Sequence, residues 1–238
     1  MIREAEARDL LARIARDFHP AALASSLQAE DMVLTDLVCR ARLPVEIFVL
    51  DTGRLHGDTL ALVERVESRY GIRLGRWQPQ PEAVREYVLR FGRDAFYRSV
   101  ELRKLCCALR KVEPLGRALA GKRAWITGLR RGQSAGRGET AVEQWDEAHG
   151  LRNFNPLADW REDEVWSYLR AYEVPTHPLY EQGYRSIGCA PCTRPVVEGE
   201  DARAGRWWWE REGNSECGIH FSPDGKIIRE KAKAESAP

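Results

Sequence analysis

Three short apolar runs stand out along the chain: AALAS at 21–25, VEIFVLD at 45–51 and RAWITGL at 123–129. The second and third stop at a glycine turn, which predicts buried strands, with the first as a weaker strand of the same kind. Between them the apolar positions recur at helical spacing. In MVLTDLVCRA they fall at 33, 34, 37, 38 and 41, and in TLALVERVESRY at 60, 63, 66 and 70. The opening MIREAEARDLLARIARDF is also helix-patterned, and residues 101–113 are read as helical too. A further helix is expected from Asp159, where D-W-R-E sets Glu162 at the reciprocal position of a capping box. Strands alternating with helices predict a parallel α/β sheet flanked by helices.

Beyond Pro175 the periodicity ends, and proline, glycine, cysteine and tryptophan dominate up to Phe221. The expected division is an α/β domain over 1–174 and an irregular C-terminal region over 175–238, laid over the sheet without a core of its own. Composition adds little to this picture: 238 residues, 43% hydrophobic and 31% charged, are ordinary globular material. A net charge of +1 gives no bulk electrostatic case for nucleic acid or a membrane surface as partner. The N-terminus lacks the apolar core of a signal peptide, and no stretch is long and apolar enough to span a bilayer, so a cytoplasmic placement is expected. The oligomeric state is left open, a homo-oligomer included.

In open α/β sheets ligands bind beyond the carboxyl ends of the strands. Three segments occupy that edge: SSLQAED (25–31), DTGRLH (51–56) and GLRRGQSAGR (128–137). The first runs straight into a helix, whose free N–H groups suit an anion. The third brings Arg130, Arg131 and Arg137 to a glycine-rich loop, the residue type that grips phosphate and sulfate groups. Together the three loops point to a nucleotide site.

The six cysteines are unevenly placed: Cys39 alone, Cys106 beside Cys107, Cys189 and Cys192 in CAPC, and Cys217 near the end. A disulfide framework does not suit a reducing compartment. Adjacent cysteines cannot readily bridge each other, because neighbouring Cα atoms lie only about 3.8 Å apart. CAPC is preceded by SIG and followed by TRPVVEGE, a setting that suits a knuckle better than a redox-active helix start. A paired CC also gives one zinc ion an awkward bite, whereas an iron–sulfur cluster offers a separate iron to each thiolate. The cluster is favoured on this ground, with zinc and unliganded buried thiols as the alternatives. On a helix, Arg103 and Lys111 flank Cys107 at four residues and Arg110 follows Cys106 by four, so the pair sits among cations. Cys217, in NSECGIH, lies outside both pairs, with His220 after it and Arg203 and Arg206 before it. Cationic neighbours of this kind lower a thiol pKa and make a nucleophile. Cys39 is read as structural and the tryptophans at 207–209 as packing.

CCALRKVEPL with CAPC, GLRRGQS, FVLDTGRLH and the terminal ECGIH together resemble the assimilatory adenylylsulfate (APS) reductases of the PAPS/APS reductase family, over about residues 20–221. The resemblance implies an adenine-nucleotide α-hydrolase-like twisted parallel sheet and a [4Fe–4S] cluster on Cys106, Cys107, Cys189 and Cys192. It implies that Cys217 attacks the sulfur of APS, and that thioredoxin or glutaredoxin then releases sulfite. It also implies that Ser25, Ser26, Gln28 and Asp31, with Asp51, Thr52 and Gly53, hold the adenosine phosphate. Gly128, Arg130 and Arg131, with Lys111, Arg203, Arg206 and His220, would then surround the phosphosulfate. Departures from the family's relatives are SSL where related pyrophosphatases carry SGG, Ser215 where a lysine is frequent, and Ile219 where leucine is common. Relatives acting on PAPS typically lack both cysteine pairs, so these favour APS. A tRNA-thiolating ATP pyrophosphatase, which would want an intact SGG loop, and a zinc-knuckle binding module are the competing classes.

Overall fold

The computed structural model describes residues 2–133 and 137–210. Six strands form one sheet: β1 (Ala21–Ala24), β2 (Val45–Leu50), β3 (Gly75–Trp77), β4 (Ala124–Ile126), β5 (Glu143–Asp146) and β6 (Leu151–Phe154), in the order β3-β2-β1-β4-β6-β5. Every neighbouring pair is parallel except β5 with β6, an antiparallel hairpin at one edge. The three apolar runs are the central strands β1, β2 and β4. They read as continuous apolar runs because both faces are covered.

Successive residues serve opposite faces, as the pleat requires. Leu23, Ile47, Val49 and Ile126 pack with α1 (Ile2–Asp17), α2 (Ala29–Arg40), α3 (Gly57–Tyr70) and α7 (Glu162–Ala171) into the larger core. Ala22, Phe48 and Trp125 turn to the other face, against Leu115, Ala118 and Leu119 of α6 (Glu113–Leu119). α4 (Pro81–Phe91) and α5 (Val100–Cys107) complete the helices. A third, smaller cluster is made of Phe96, Cys107, Cys189, Cys192 and Trp207, with Cys106 and Trp209 against it.

Local differences from expectation have local causes. α7 starts two residues beyond the anticipated box: Arg161 is the N-cap, and its N–H donates to Glu164 Oε2 at 2.8 Å. The segment 101–113 is helical throughout but not uniformly α: a π-turn over Ala108–Val112 joins α5 to α6. The region after Pro175 contains only short 3₁₀ turns, Pro178–Gln182 and Ala190–Cys192, among its described residues. It is stitched to the sheet domain by Tyr180, whose hydroxyl accepts from Ala29 N at 2.9 Å, and by Gln28, whose Oε1 accepts from Ile187 N at 2.8 Å. Among the described residues no helix is long and apolar enough to cross a membrane.

Candidate active site

A cleft of about 300 Å³ opens at the carboxyl ends of β1, β2 and β4. Ser25, Ser26 and Gln28 line it from the first loop, Asp51 and Thr52 from the second, and Gly128 and Arg130 from the third. Lys111, Arg203 and Arg206 close the remaining side. Its apolar floor comes from Phe48, Leu50, Leu115 and Trp125, the surface that takes a flat organic ring.

The loop after β1 is held by one carboxylate. Asp31 accepts from Ser26 N at 2.7 Å, Ser26 Oγ at 2.5 Å and Gly128 N at 3.0 Å. A side chain at position 128 would collide with it, since a Cβ there would lie 2.4 Å from Asp31 Oδ1. Burial outweighs these hydrogen bonds and pushes the Asp31 carboxyl up to about 6. Asp31 thus knits two loops together, and the N–H groups it engages are not open donors. The same holds for Leu27 N, which donates to Ser25 Oγ at 3.2 Å, and for Ala29 N, which donates to Tyr180. Leu27 sits at φ +61, the left-handed region glycine favours, while its side chain is buried in the main core. The SSL loop therefore makes with leucine a left-handed turn that glycine would make without strain, and anchors it in the core.

Arg130 is also committed. Its guanidinium meets Glu30 at 2.8 Å in a buried ion pair and donates to Trp160 O at 3.2 Å. Arg131 pairs with Asp159 and is not among the residues lining the cleft. Gln133, which sequence reasoning passed over within GLRRGQS, staples this loop by accepting from Arg130 N and donating to Gly128 O. In the second loop Asp51 accepts from Gly53 N at 3.0 Å and Gln78 Nε2 at 2.7 Å, and Gly53 takes φ +67 at the turn.

The four cysteines of the two pairs meet at the other end, although 82 positions separate Cys107 from Cys189. An isolated bridge joins Leu55 to Cys189, and Ala190 N donates to Arg54 O at 2.7 Å, so the second loop braces CAPC directly. Thr52 Oγ1 lies 3.2 Å from Cys189 Sγ, and Thr193 Oγ1, bonded to His56, donates to Cys189 O. Arg110, on the π-turn, donates to Thr52 O at 2.7 Å, and its charge opposes the rise that burial gives the Cys106 thiol. Burial, and then the neighbouring Cys189 and Cys107, push the Cys192 thiol up to about 12, against the lowering effect of Lys111 and Arg206.

Cys107, Cys189 and Cys192, with Cys106 against them, form one buried group. Four thiols match a cluster in which each thiolate takes its own iron. Enclosure by Phe96 and Trp207 supplies the dry setting such a centre needs, and a bound cationic centre deprotonates its thiol ligands outright. The residues present fit a [4Fe–4S] group.

Arg206 is positioned by an absence of side chain. A Cβ at Gly188 would lie 2.3 Å from its Nη1, so only glycine lets the guanidinium settle there. Arg206 also lies over the Trp207 ring at 4.8 Å. Arg103 proves to serve the C-terminal region and not the cleft. It is 1% exposed, and its Nε and Nη2 each meet a Glu210 carboxylate oxygen at 2.8 Å. Cys217 and His220 lie outside the described residues.

Comparison with known proteins agrees with this geometry. Adenosine 5'-phosphosulfate reductase of Allochromatium vinosum is 56% identical over 224 residues, covering 93% of this chain and 88% of its own. The protein of the same name from Burkholderia cepacia is 54% identical, over 90% and 85% of the two chains. Among solved structures, phosphoadenylyl-sulfate (PAPS) reductase from Candida auris superposes with TM-score 0.69 at 26% identity, covering 80% of this chain and 90% of that one. An FMN adenylyltransferase from Candida glabrata (TM-score 0.56, 15% identity, 87% and 72% coverage) shares the fold alone. The phosphoadenosine phosphosulfate reductase domain matches residues 20–195, a span that holds both cysteine pairs and all three loops, and the chain belongs to that family.

Proposed function

We propose that this protein reduces adenosine 5'-phosphosulfate to sulfite and AMP, using Cys217 as nucleophile and a thioredoxin- or glutaredoxin-type dithiol protein as reductant. The observation that carries the reading is the convergence of two remote cysteine pairs beside a nucleotide-sized cleft lined by Lys111, Arg203 and Arg206, of which Lys111 and Arg206 also act on Cys192. The high identity to proteins named for that substrate supports the same choice.

The chemistry follows from the charges. A thiolate attacking a sulfuryl group brings two anions together, so the transition state needs fixed cations around it. Lys111 borders the cleft and also acts on the Cys192 thiol, which suits it to the phosphosulfate next to the thiols. Attack by the Cys217 thiolate forms a sulfur–sulfur bond and breaks the sulfur–oxygen bond, and AMP leaves with that electron pair. The enzyme then carries S-sulfocysteine. One thiolate of the dithiol protein attacks the Cys217 sulfur and expels sulfite, and its second thiol resolves the mixed disulfide. Cys106, Cys107, Cys189 and Cys192 would hold a [4Fe–4S] cluster, which when bound supplies polarising charge beside the substrate. Arg110 and Thr52 orient the thiols toward the second loop. Arg203, on the cleft lining, and His220, three residues after Cys217 in the sequence, would complete the cationic surround. The twin loops around Asp31 give the nucleotide a rigid seat.

The test is to mix anaerobically purified protein with APS, and separately with PAPS, and to look for a sulfonate on Cys217 by peptide mass spectrometry. The adduct is expected with APS alone, and thioredoxin should convert it to free sulfite. Cys217→Ser should give neither adduct nor sulfite while keeping its iron. Sulfite release by that variant at the parent rate would sink the assignment.

A further inference from the structure

The buried ion pair between Arg103 and Glu210 has no place in the chemistry above. Arg103 lies on α5, three and four positions before Cys106 and Cys107, and is almost wholly buried. Both ends of its guanidinium fork meet the two carboxylate oxygens of Glu210 at 2.8 Å. The same guanidinium lies 4.3 Å from the centre of the Trp207 ring. Trp207 sits at φ +46 and donates its N–H to Cys192 O at 3.2 Å. Glu210 N in turn donates to Trp207 O at 2.8 Å. Residues 207–210 are thus bonded both to Cys192 and to the helix that carries Cys106 and Cys107.

An apolar side chain at 103 would fill this pocket of tryptophan and thiol at least as stably, because buried ion pairs are poor sources of stability. What a planar bidentate pair adds is direction. Cys217 follows Glu210 by seven positions, which reach at most about 25 Å when fully extended. We infer that the Arg103–Glu210 pair is a positioning device: it fixes the origin of the segment bearing Cys217 to the helix that carries the paired cysteines. This rests on Cys217 being the nucleophile.

Magnitudes separate this from a mere tether. Without the pair, the next backbone position held upstream is Trp207, through its N–H to Cys192 O. The tether to Cys217 would then lengthen from seven to ten positions. Effective concentration falls roughly as the −3/2 power of tether length, so lengthening alone predicts a loss of only about twofold. Loss of orientation is worth more, since misplacement by 1 Å can lower a rate on the order of 100-fold.

The test uses the full-length, anaerobically purified holoenzyme and the variants Glu210→Ala and Glu210→Gln. Three quantities are measured: iron per chain, APS affinity by equilibrium binding, and the single-turnover rate of sulfonation of Cys217 by quenched mass spectrometry. In Glu210→Ala the rate should fall by about tenfold or more, with iron and affinity within about threefold. Glu210→Gln keeps the shape and one acceptor and should fall between it and the parent. It carries the test if the alanine variant fails to fold. Amide exchange at 207–210 should rise in both variants. A rate within about twofold of the parent in a folded variant would overturn the proposal, as only tether length would then count. Loss of iron in proportion to rate would also overturn it, making the pair a support for the thiols alone. A parent protein that forms no adduct would instead overturn the functional reading, and with it any role for the anchor.

Discussion

The two ends of the cleft are built on opposite plans. At the loop end, polar groups are already matched to one another: Asp31 holds Ser26 and Gly128, and Glu30 holds Arg130. At the thiol end, burial and then neighbouring thiols raise the proton affinity of Cys106 and Cys192, while Arg110, Lys111 and Arg206 work against the rise. The loop end is complete as protein. The thiol end gathers four like groups, a set that a positive centre would complete. On the proposed function the loop end would seat the nucleotide, and the thiol end would meet the charge of the reacting sulfur.

The sharpest way to break this contrast is to remove one ligand. Cys107→Ser should lose essentially all bound iron and all turnover, while the sheet domain still unfolds cooperatively, because neither main core contains a ligand cysteine. Metal analysis beside a thermal unfolding curve checks this, and unfolding of the whole domain would show the two ends to be one unit. Next in size, Lys111→Ala should lower turnover on the order of 100-fold with little change in iron, the usual cost of removing a cation or donor from developing charge. Equal losses of iron and activity would make Lys111 part of the thiol scaffold only. Gly188→Ala should force the Arg206 guanidinium from its place without disturbing backbone, and raise the KM for APS about tenfold, equivalent to ~1.4 kcal/mol.

At the loop end the effects are on stability. Both Asp31 oxygens receive backbone N–H groups, so Asp31→Asn must turn its amide nitrogen toward a donor. A loss of about 1–3 kcal/mol is expected in denaturant unfolding. The smallest prediction concerns pH. Burial raises Asp31 from its ordinary 3.8 to about 6, so across that window the native state holds a proton the unfolded chain has released, and stability falls as pH rises. Burial, and then His56, lowers His177 from 6.5 to about 4, where the unfolded chain binds the extra proton and stability climbs with pH. The two oppose each other in the parent. Asp31→Asn removes the first, so its melting temperature should rise more steeply between pH 4 and 6 than the parent's.

Legibility in the sequence followed burial. β1, β2 and β4 announce themselves because they are covered on both faces. The short GRW, EQWD and LRNF strands carry polar residues toward the sheet edges, and only pairing with neighbours makes them strands. Residues of the loops 25–31, 51–56 and 128–137 line one cleft, Gly53 and Arg131 not among them, and the inner bonding of these loops is not written in any local pattern. Asp31 meets Gly128 across 97 positions and Arg103 meets Glu210 across 107. The π-turn after Cys107 is likewise invisible to periodicity. It spans five residues and carries Arg110, whose guanidinium reaches Thr52; such turns are frequent at functional sites.

The central claim is that the thiol end is completed by an iron–sulfur cluster. Iron and acid-labile sulfide counted on anaerobically purified protein, with a Mössbauer spectrum of the same sample, test it directly. The account predicts about four irons and four sulfides per chain in a single cluster environment. One zinc per chain without sulfide, in a protein that still sulfonates Cys217, would contradict it.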